Sequence, residues 1–271
     1  MRKRDLRIAA SLMLPVMACS AVQQPQASAE EAPVKYDLGQ PYIGGPLPQG
    51  ELLAPAAPAE GSARAMRDAA DSTAYLALAG SARWELAASD ADLGPGWFTR
   101  AFSCAAGRVI SDSDTPRLAQ LLRRAGTDFG MSTSGVKKLY MRERPFMVNG
   151  APSCTPLDEA DLRGNGSYPS GHSAIGYGTG LVLASVFPDR ATQLVARGRA
   201  YGTSRAVCNV HWTSDVEEGR VIASATFARL MADPSFRADL EAAKAEAESL
   251  ASAVPVEADC ATEVSALAET P

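Results

Sequence analysis

The sequence lacks an excess of positive charge. Its 271 residues include 26 Lys and Arg against 31 Asp and Glu, which gives a formal net charge of −5. The basic residues are scattered or confined to short motifs, whereas proteins that bind a nucleic-acid backbone carry them as a stripe or a face. Nucleic acid is therefore not expected as a partner.

Long apolar runs and strand patterns are also scarce. The one internal candidate for a membrane span, residues 173–187, is shorter than the roughly 20 residues that a bilayer requires. It also contains Gly176, Gly178 and Gly180, so a buried core helix fits it better and no membrane span is expected. Alternating runs of β-branched residues are almost absent, which argues against a sheet.

Apolar residues instead recur at helical spacing from residue 63 onward. A chain of this length with 46% hydrophobic residues can bury one substantial core. We therefore predict an all-α protein with a single compact helical bundle domain at 63–252, preceded by a Pro/Gly/Ala-rich extended arm at 30–62 and followed by a C-terminal tail at 253–271. The predicted helical stretches are 66–86, 97–107, 115–129, 136–141, 170–187, 189–204, 212–231 and 235–251.

The first 29 residues have the layout of a signal peptide: a basic start followed by an apolar stretch. Cleavage after Ala18 would leave a lipid anchor on Cys19, and cleavage after Ala29 fits an ordinary small-residue site. Either way we expect export to the periplasm. Four cysteines remain, which form two disulfides in one of three pairings or stay as buried thiols. They are Cys104, Cys154, Cys208 and Cys260.

The chain has only two histidines, and each lies in a polar context. His172 follows Pro169, Ser170 and Gly171. Because proline is favoured at the start of a helix, the N–H groups of the next three residues would be first-turn donors that can face an anion. The alternative is an ordinary Ser-Gly cap with a surface histidine.

His211 and Asp215 are four residues apart, so on a helix the carboxylate can hold one imidazole nitrogen while the other attacks. The alternative is a His-Asp pair without a catalytic role. Arg205, six residues earlier, suits bidentate contact with phosphate oxygens.

A basic segment lies earlier in the chain. Lys137 is followed by Arg144 and Pro145. The proline is expected to stop the helix, which would place the two cations roughly two helical turns apart and facing one cleft. Alternatively, the basic residues of this segment form a solvated helix face. They are Lys137, Lys138, Arg142 and Arg144.

In chain order these segments read Lys-x6-Arg-Pro, Pro-Ser-Gly-His and Ser-Arg-x5-His-x3-Asp. This order resembles the signature of the phosphatidic acid phosphatase type 2 superfamily. The longer stretches 137–146 and 166–172 resemble the soluble class A bacterial non-specific acid phosphatases, over roughly 63–251. The resemblance implies a fold of the acid phosphatase and vanadium haloperoxidase type, hydrolysis of phosphate monoesters through a phosphohistidine intermediate, no cofactor, and a homodimer.

Carried over to this sequence, the resemblance implies that His211 is the nucleophile, Asp215 its orienter and His172 the general acid. With both histidines assigned, none is left for a histidine-rich metal site, and no metal is expected. The residues implied to bind the phosphoryl oxygens are Lys137, Arg144, Ser170, Gly171 and Arg205.

Three other functions are compatible with such an anion pocket. A vanadium-dependent haloperoxidase shares it but is generally longer, and a membrane lipid phosphatase of the same superfamily would need several spanning helices. A periplasmic phosphate-binding protein would not need a nucleophile and its orienter beside an acid. The motifs contact only the phosphoryl group, so they leave the natural substrate open.

Overall fold

A computed structural model describes residues 35–249, 257–269 and 271. The predicted signal peptide and the candidate anchor Cys19 lie outside these residues. The described helices are α1 (Gly50–Leu53), α2 (Ala63–Leu76), α3 (Ala82–Ser89), α4 (Trp97–Ala106), α5 (Pro116–Met131), α6 (Ser134–Tyr140), α7 (Pro145–Asn149), α8 (Glu159–Arg163), α9 (Gly171–Val186), α10 (Ala191–Val207), α11 (Thr213–Met231), α12 (Pro234–Ser249) and α13 (Glu257–Ala268).

The predicted all-α class is confirmed for the part of the chain that the structure describes. Its single strand-like feature is an isolated bridge between Tyr36 and Leu93, and the described residues form one compact unit. No helix among the described residues has the length and apolar character to cross a membrane.

One predicted helix is wrong. The apolar spacing over 66–86 suggested a continuous helix, but α2 ends at Leu76 and α3 begins at Ala82. Between them Gly80 adopts a φ of 79°, which a helix does not contain. Ser81 then caps α3 by accepting the N–H of Trp84.

The centre of the bundle is α9, which packs against α5, α10 and α11. Its glycines allow close contact with α10. A Cβ at Gly180 would lie 2.8 Å from the Leu194 carbonyl oxygen, and one at Gly198 would lie 2.7 Å from the Gly176 carbonyl oxygen. Because α9 and α10 are antiparallel across a short connection, the start of α9 and the end of α10 meet at the same end of the bundle.

Two disulfides join distant segments, which selects one of the three possible pairings. Cys104 on α4 bonds Cys260 on α13, and Cys154 in the loop after α7 bonds Cys208 at the end of α10. The alternative of buried free thiols is therefore wrong for these four cysteines. The second disulfide lies three residues before His211 and ties its segment to the loop that follows α7.

The contact between α9 and α5 makes a testable prediction. A Cβ at Gly178 would lie 2.5 Å from ring atoms of the buried Phe129. We expect Gly178→Ala to lower the free energy of unfolding by about 1–3 kcal/mol, because overpacking outweighs the gain in helix propensity. Urea unfolding of the oxidised protein measures the change.

Gly135→Ala is the matched control, since its Cβ would meet only the mobile end of the Glu51 side chain. We expect this variant to be neutral or up to about 1 kcal/mol more stable. Equal effects of the two substitutions would contradict the packing argument.

Candidate active site

A cavity of about 290 Å³ opens at the end of the bundle where α9 begins and α10 ends. It brings together six of the eight residues that the sequence analysis selected: Lys137, Arg144, Gly171, His172, Arg205 and His211. The other two, Ser170 and Asp215, are buried directly behind these residues rather than on the cavity wall.

The two cations of the basic segment reach the cavity by a route different from the expected one. The helix that carries Lys137 ends at Tyr140, with Met141 in the left-handed region at φ 43°. Pro145 does not stop this helix but begins α7, for which Arg144 is the N-cap residue. The prediction of two helical turns between the cations is therefore wrong, although both line one cavity.

Lys137 and Arg144 are held by backbone carbonyl oxygens. Lys137 Nζ donates to the Gly166 oxygen at 2.8 Å, and Arg144 donates to the oxygens of Leu162 at 3.0 Å and Val210 at 2.9 Å. Burial lowers the pKa of Lys137 to about 7 and that of Arg144 to about 10, and nearby guanidinium groups add to both effects. The alternative of a solvated helix face is wrong for these two residues.

Arg205 is the third cation of the cavity. Its Nε and Nη1 atoms are buried and lack a hydrogen-bond partner among the described residues, and burial lowers its pKa. Buried donors without partners are rare and costly. An anion in the cavity would satisfy them, because guanidinium groups bind phosphate oxygens in pairs.

The contacts of His211 define its protonation state. Arg144 Nη1 lies 3.1 Å from Nε2, and guanidinium can only donate, so Nε2 carries the lone pair. Nδ1 therefore carries the proton and faces Asp215 Oδ2 at 3.3 Å. Burial, followed by the charges of Arg144 and Lys137, lowers the pKa of His211 well below its ordinary value. The imidazole is thus neutral, with its unprotonated Nε2 at the cavity wall.

Asp215 is completely buried in the first turn of α11. Its Oδ2 also accepts the Trp212 N–H at 2.8 Å, and its Oδ1 accepts Arg142 Nη1 at 2.8 Å. Burial raises the pKa of Asp215, and Arg142 acts against that rise. The sequence pattern predicts Arg142 only as part of a solvated helix face, and it contains no signal that this side chain contacts the Asp215 carboxylate.

The start of α9 contributes backbone groups as the sequence suggested, with one difference. Ser170 is the N-cap residue: its hydroxyl accepts the Ser173 N–H at 3.2 Å and its own N–H donates to the Asp215 carbonyl at 2.9 Å. The Ser170 N–H is therefore occupied. Gly171, whose Cβ would lie 3.8 Å from Lys137 Cε, begins the helix at the cavity wall.

His172 is the second imidazole of the cavity. Its Nε2 lies 3.1 Å from the Ala91 carbonyl oxygen, which can only accept, so Nε2 carries a proton and Nδ1 is the nitrogen that gains or loses one. Burial, followed by the charge of Arg205, lowers its pKa well below the ordinary value. The alternative of a surface histidine is wrong.

The groups that could coordinate a metal ion are dispersed. Across the described ranges, no three or more His, Cys, Asp and Glu side chains gather in an arrangement that could hold one. The positive charge of the cavity comes from Lys137, Arg144 and Arg205.

Comparisons with known proteins agree with this geometry. Residues 124–238 match the model of the PAP2 superfamily, a range that includes all eight selected residues. The chain is 43% identical to a non-specific acid phosphatase of Salmonella typhimurium over 65% of this chain and 72% of that protein. It is 40% identical to a non-specific acid phosphatase of Providencia stuartii over 72% of this chain and 79% of that protein. It is 42% identical to an acid phosphatase of Zymomonas mobilis over 63% of this chain and 65% of that protein. The chain therefore belongs to the PAP2 superfamily and, within it, to the class A bacterial non-specific acid phosphatases, which are phosphomonoester hydrolases.

Proposed function

We propose that the protein hydrolyses a broad range of phosphate monoesters through a phosphohistidine on Nε2 of His211, without a metal ion. The observation that carries this proposal is the position of that unprotonated nitrogen, 3.1 Å from the Arg144 guanidinium at the wall of a cavity lined by three cations. Phosphoryl transfer requires mainly positioning and positive charge around the phosphoryl oxygens.

The first half-reaction transfers the phosphoryl group to the enzyme. The substrate oxygens replace His211 as the acceptor of Arg144 and satisfy the unpartnered donors of Arg205. Lys137 and the N–H of Gly171 complete the binding set, with the Ser170 hydroxyl hydrogen available for a further bond. Nε2 then attacks phosphorus, the ester P–O bond breaks, and protonated His172 gives its proton to the departing oxygen.

The second half-reaction hydrolyses the intermediate. His172, now neutral, takes a proton from water, whose oxygen attacks phosphorus as the P–N bond breaks. The electron pair of that bond returns to Nε2, so His211 is regenerated neutral. Asp215 accepts the Nδ1 proton in a hydrogen bond throughout and stabilises the cationic phosphoimidazole.

The wider part of the cavity supports a broad substrate range. Beyond the cations its lining includes the apolar side chains of Leu38, Leu93 and Ile175 and the exposed ring of Tyr36. The polar residues Thr133, Ser134 and Asn165 lie beside them. The apolar side chains can contact a leaving group without imposing directional hydrogen bonds. Binding energy is therefore concentrated on the phosphoryl group, which all monoesters share.

We also propose export to the periplasm, as the sequence of residues 1–29 indicates. The two disulfides support this, because such bonds persist in oxidising compartments. The mass of the protein purified from its source would distinguish a lipidated Cys19 from cleavage after Ala29. Sedimentation of the same sample would test the expected homodimer.

Because the two histidines have different proposed roles, we expect their alanine variants to lose activity in different ways. We expect His211→Ala to abolish turnover of every monoester. We expect His172→Ala to lose far more activity on alkyl phosphates than on p-nitrophenyl phosphate, because an acidic phenol departs without a proton. Rapid-quench labelling in EDTA should trap acid-labile phosphate on the peptide that contains His211.

Three outcomes would contradict the mechanism. Label on a serine or aspartate would exclude the phosphohistidine, and equal losses for good and poor leaving groups would exclude His172 as the acid. Activity that disappears in EDTA and returns with zinc or magnesium would exclude metal independence.

The lowered pKa values of both histidines predict an acidic optimum. His172 must be protonated to act as the acid, so lowering its pKa moves the base limb of the profile to lower pH. A bound phosphate dianion raises that pKa again. We therefore expect the base limb of kcat to lie at higher pH than that of kcat/KM, measured by steady-state profiles. An optimum above neutrality contradicts this assignment.

The pH profile of His172→Ala with the same substrate serves as the control. It lacks the ionisation of His172 and so shows which part of the profile comes from the ionisation of the ester itself. Lys137, whose pKa is lowered by burial to about 7, should add a loss of phosphate affinity above that pH. Inhibition by inorganic phosphate measures this loss independently of turnover.

A further inference from the structure

A buried carboxylate on α2 approaches the catalytic pair from the side opposite the cavity. Asp68 is 1% exposed and lies outside the signature motifs. Its Oδ1 accepts the Ser214 N–H at 2.9 Å, and its Oδ2 accepts the Ser214 hydroxyl and, at 2.8 Å, Arg142 Nη2. Asp68 is thereby attached to the residue that precedes Asp215.

Arg142 links Asp68 to Asp215. Nη2 of its guanidinium group donates to Asp68, and Nη1 donates to Asp215 Oδ1 at 2.8 Å and to the Ser214 hydroxyl at 2.8 Å. With Oδ1 occupied in this way, Oδ2 is the oxygen that faces Nδ1 of His211. Arg142 is not among the residues that line the cavity, so it acts on the reaction only through Asp215.

We propose that Asp68 and Arg142 are positioning residues that hold the Asp215 carboxylate ionised and oriented toward His211. This inference rests on the proposed roles of His211 and Asp215. It places the ion pair of Asp68 and Arg142 behind Asp215, so that a chain of contacts runs from this ion pair through Asp215 to His211.

The charges around the pair determine the direction of its response to pH. Burial favours a protonated Asp215, and Arg142 is the largest influence against it. Removal of Arg142 therefore makes the Asp215 and His211 pair easier to protonate, whereas removal of the Asp68 charge makes it harder. The charged and titratable groups that face the pair are Arg142, Lys137, Arg144, Arg205 and His172, with Asp68 beyond Arg142.

A purely structural role would have a different signature. A buried ion pair contributes little net stability compared with well-packed apolar residues, and breaking it destabilises the fold. Loss of folded protein lowers activity by the same factor at every pH. Loss of positioning instead lowers kcat and displaces the acid limb of the pH profile, while the phosphate-binding cations stay in place.

Arg142→Met is the principal test. We expect kcat to fall roughly 10- to 100-fold because the nucleophile is less well oriented, with KM and the inhibition constant of inorganic phosphate within about twofold of the parent. The acid limb of the kcat profile should move to higher pH. Arg142→Lys keeps the positive charge but cannot donate to Asp68 and Asp215 from two separate nitrogens. Compared with Arg142→Met, it should restore the position of the acid limb but only part of kcat.

Arg67→Met is the matched control. Arg67 on α2 forms an exposed ion pair with Glu217 on α11. It therefore joins the two helices that carry Asp68 and Asp215 without contacting Asp215. We expect its kcat and pH profile to match those of the parent. Thermal unfolding of all variants measures how much of each loss comes from destabilisation.

Asp68→Asn provides a second, opposite test, because it leaves the Arg142 charge without its buried partner. We expect the acid limb to move to lower pH. If Arg142→Met does not fold, an unchanged acid limb in Asp68→Asn overturns the proposal by itself. An unchanged profile in a folded Arg142→Met overturns it as well.

The same experiments separate this inference from the proposed function. If His211→Ala retains turnover, the phosphohistidine mechanism fails whatever Arg142 does. If His211→Ala is inactive while Arg142→Met has the parent pH profile, only the positioning role fails.

Discussion

The burial of three cations around a small cavity is the constraint on which the rest of the structure depends. Burial penalises the charged forms of Lys137, Arg144 and Arg205, as their lowered pKa values show. Such charges are tolerated only when other groups satisfy their donors. The surrounding elements supply hydrogen-bond acceptors to these cations and leave one side of each cation open to a ligand.

The loop between α7 and α9 supplies most of that compensation. Carbonyl oxygens of Leu162, Asn165 and Gly166 accept hydrogen bonds from Arg144 and Lys137. These oxygens are dipoles rather than full charges, so they hold the cations without neutralising them. The Cys154–Cys208 disulfide ties the same loop to the end of α10. Carbonyl groups in the interior of a long helix are already occupied by the N–H groups of the next turn, whereas those at the end of the short helix α8 and in the residues after it can accept from side chains.

Local patterns in the sequence predicted most of the longer helices and the charged side chains of the cavity, but they gave no helix for α1, α7, α8 or α13. Each of the three motifs is short, and each selected residue lies within or beside one. The contact between Arg142 and Asp68 could not be predicted in this way, because the two residues are 74 positions apart and neither helical spacing nor a cap relates them. The break between α2 and α3 was missed for a similar reason. The apolar spacing continues through Gly80, and only the positive φ of that residue shows where the helix ends.

Ser170 shows how a correct motif can still mislead about a single atom. The sequence places its N–H among the free donors of a helix start, but α11 approaches so closely that the Asp215 carbonyl takes it. That approach requires Gly219, whose Cβ would lie 2.5 Å from the Ser170 oxygen. The starts of α9 and α11 are thus held together through backbone atoms, which fixes the position of the first turn of α9 relative to His211. Preorganisation of this kind is what phosphoryl transfer needs from a protein.

The same electrostatics connect substrate binding to proton transfer. Burial and the neighbouring cations favour the neutral forms of both histidines, because they lower the two pKa values well below the ordinary value. A phosphate dianion that enters the cavity offsets the cations and raises both values. In the proposed complex Nε2 of His211 faces phosphorus and Nδ1 already carries its proton toward Asp215, so His211 takes up a further proton only at lower pH, on the acid limb of the profile. His172 has no such restriction at Nδ1, so it is the histidine that takes up the proton. In the proposed mechanism a bound substrate therefore promotes the protonation of its own general acid, and this asymmetry follows from the different hydrogen-bond partners of two chemically identical side chains.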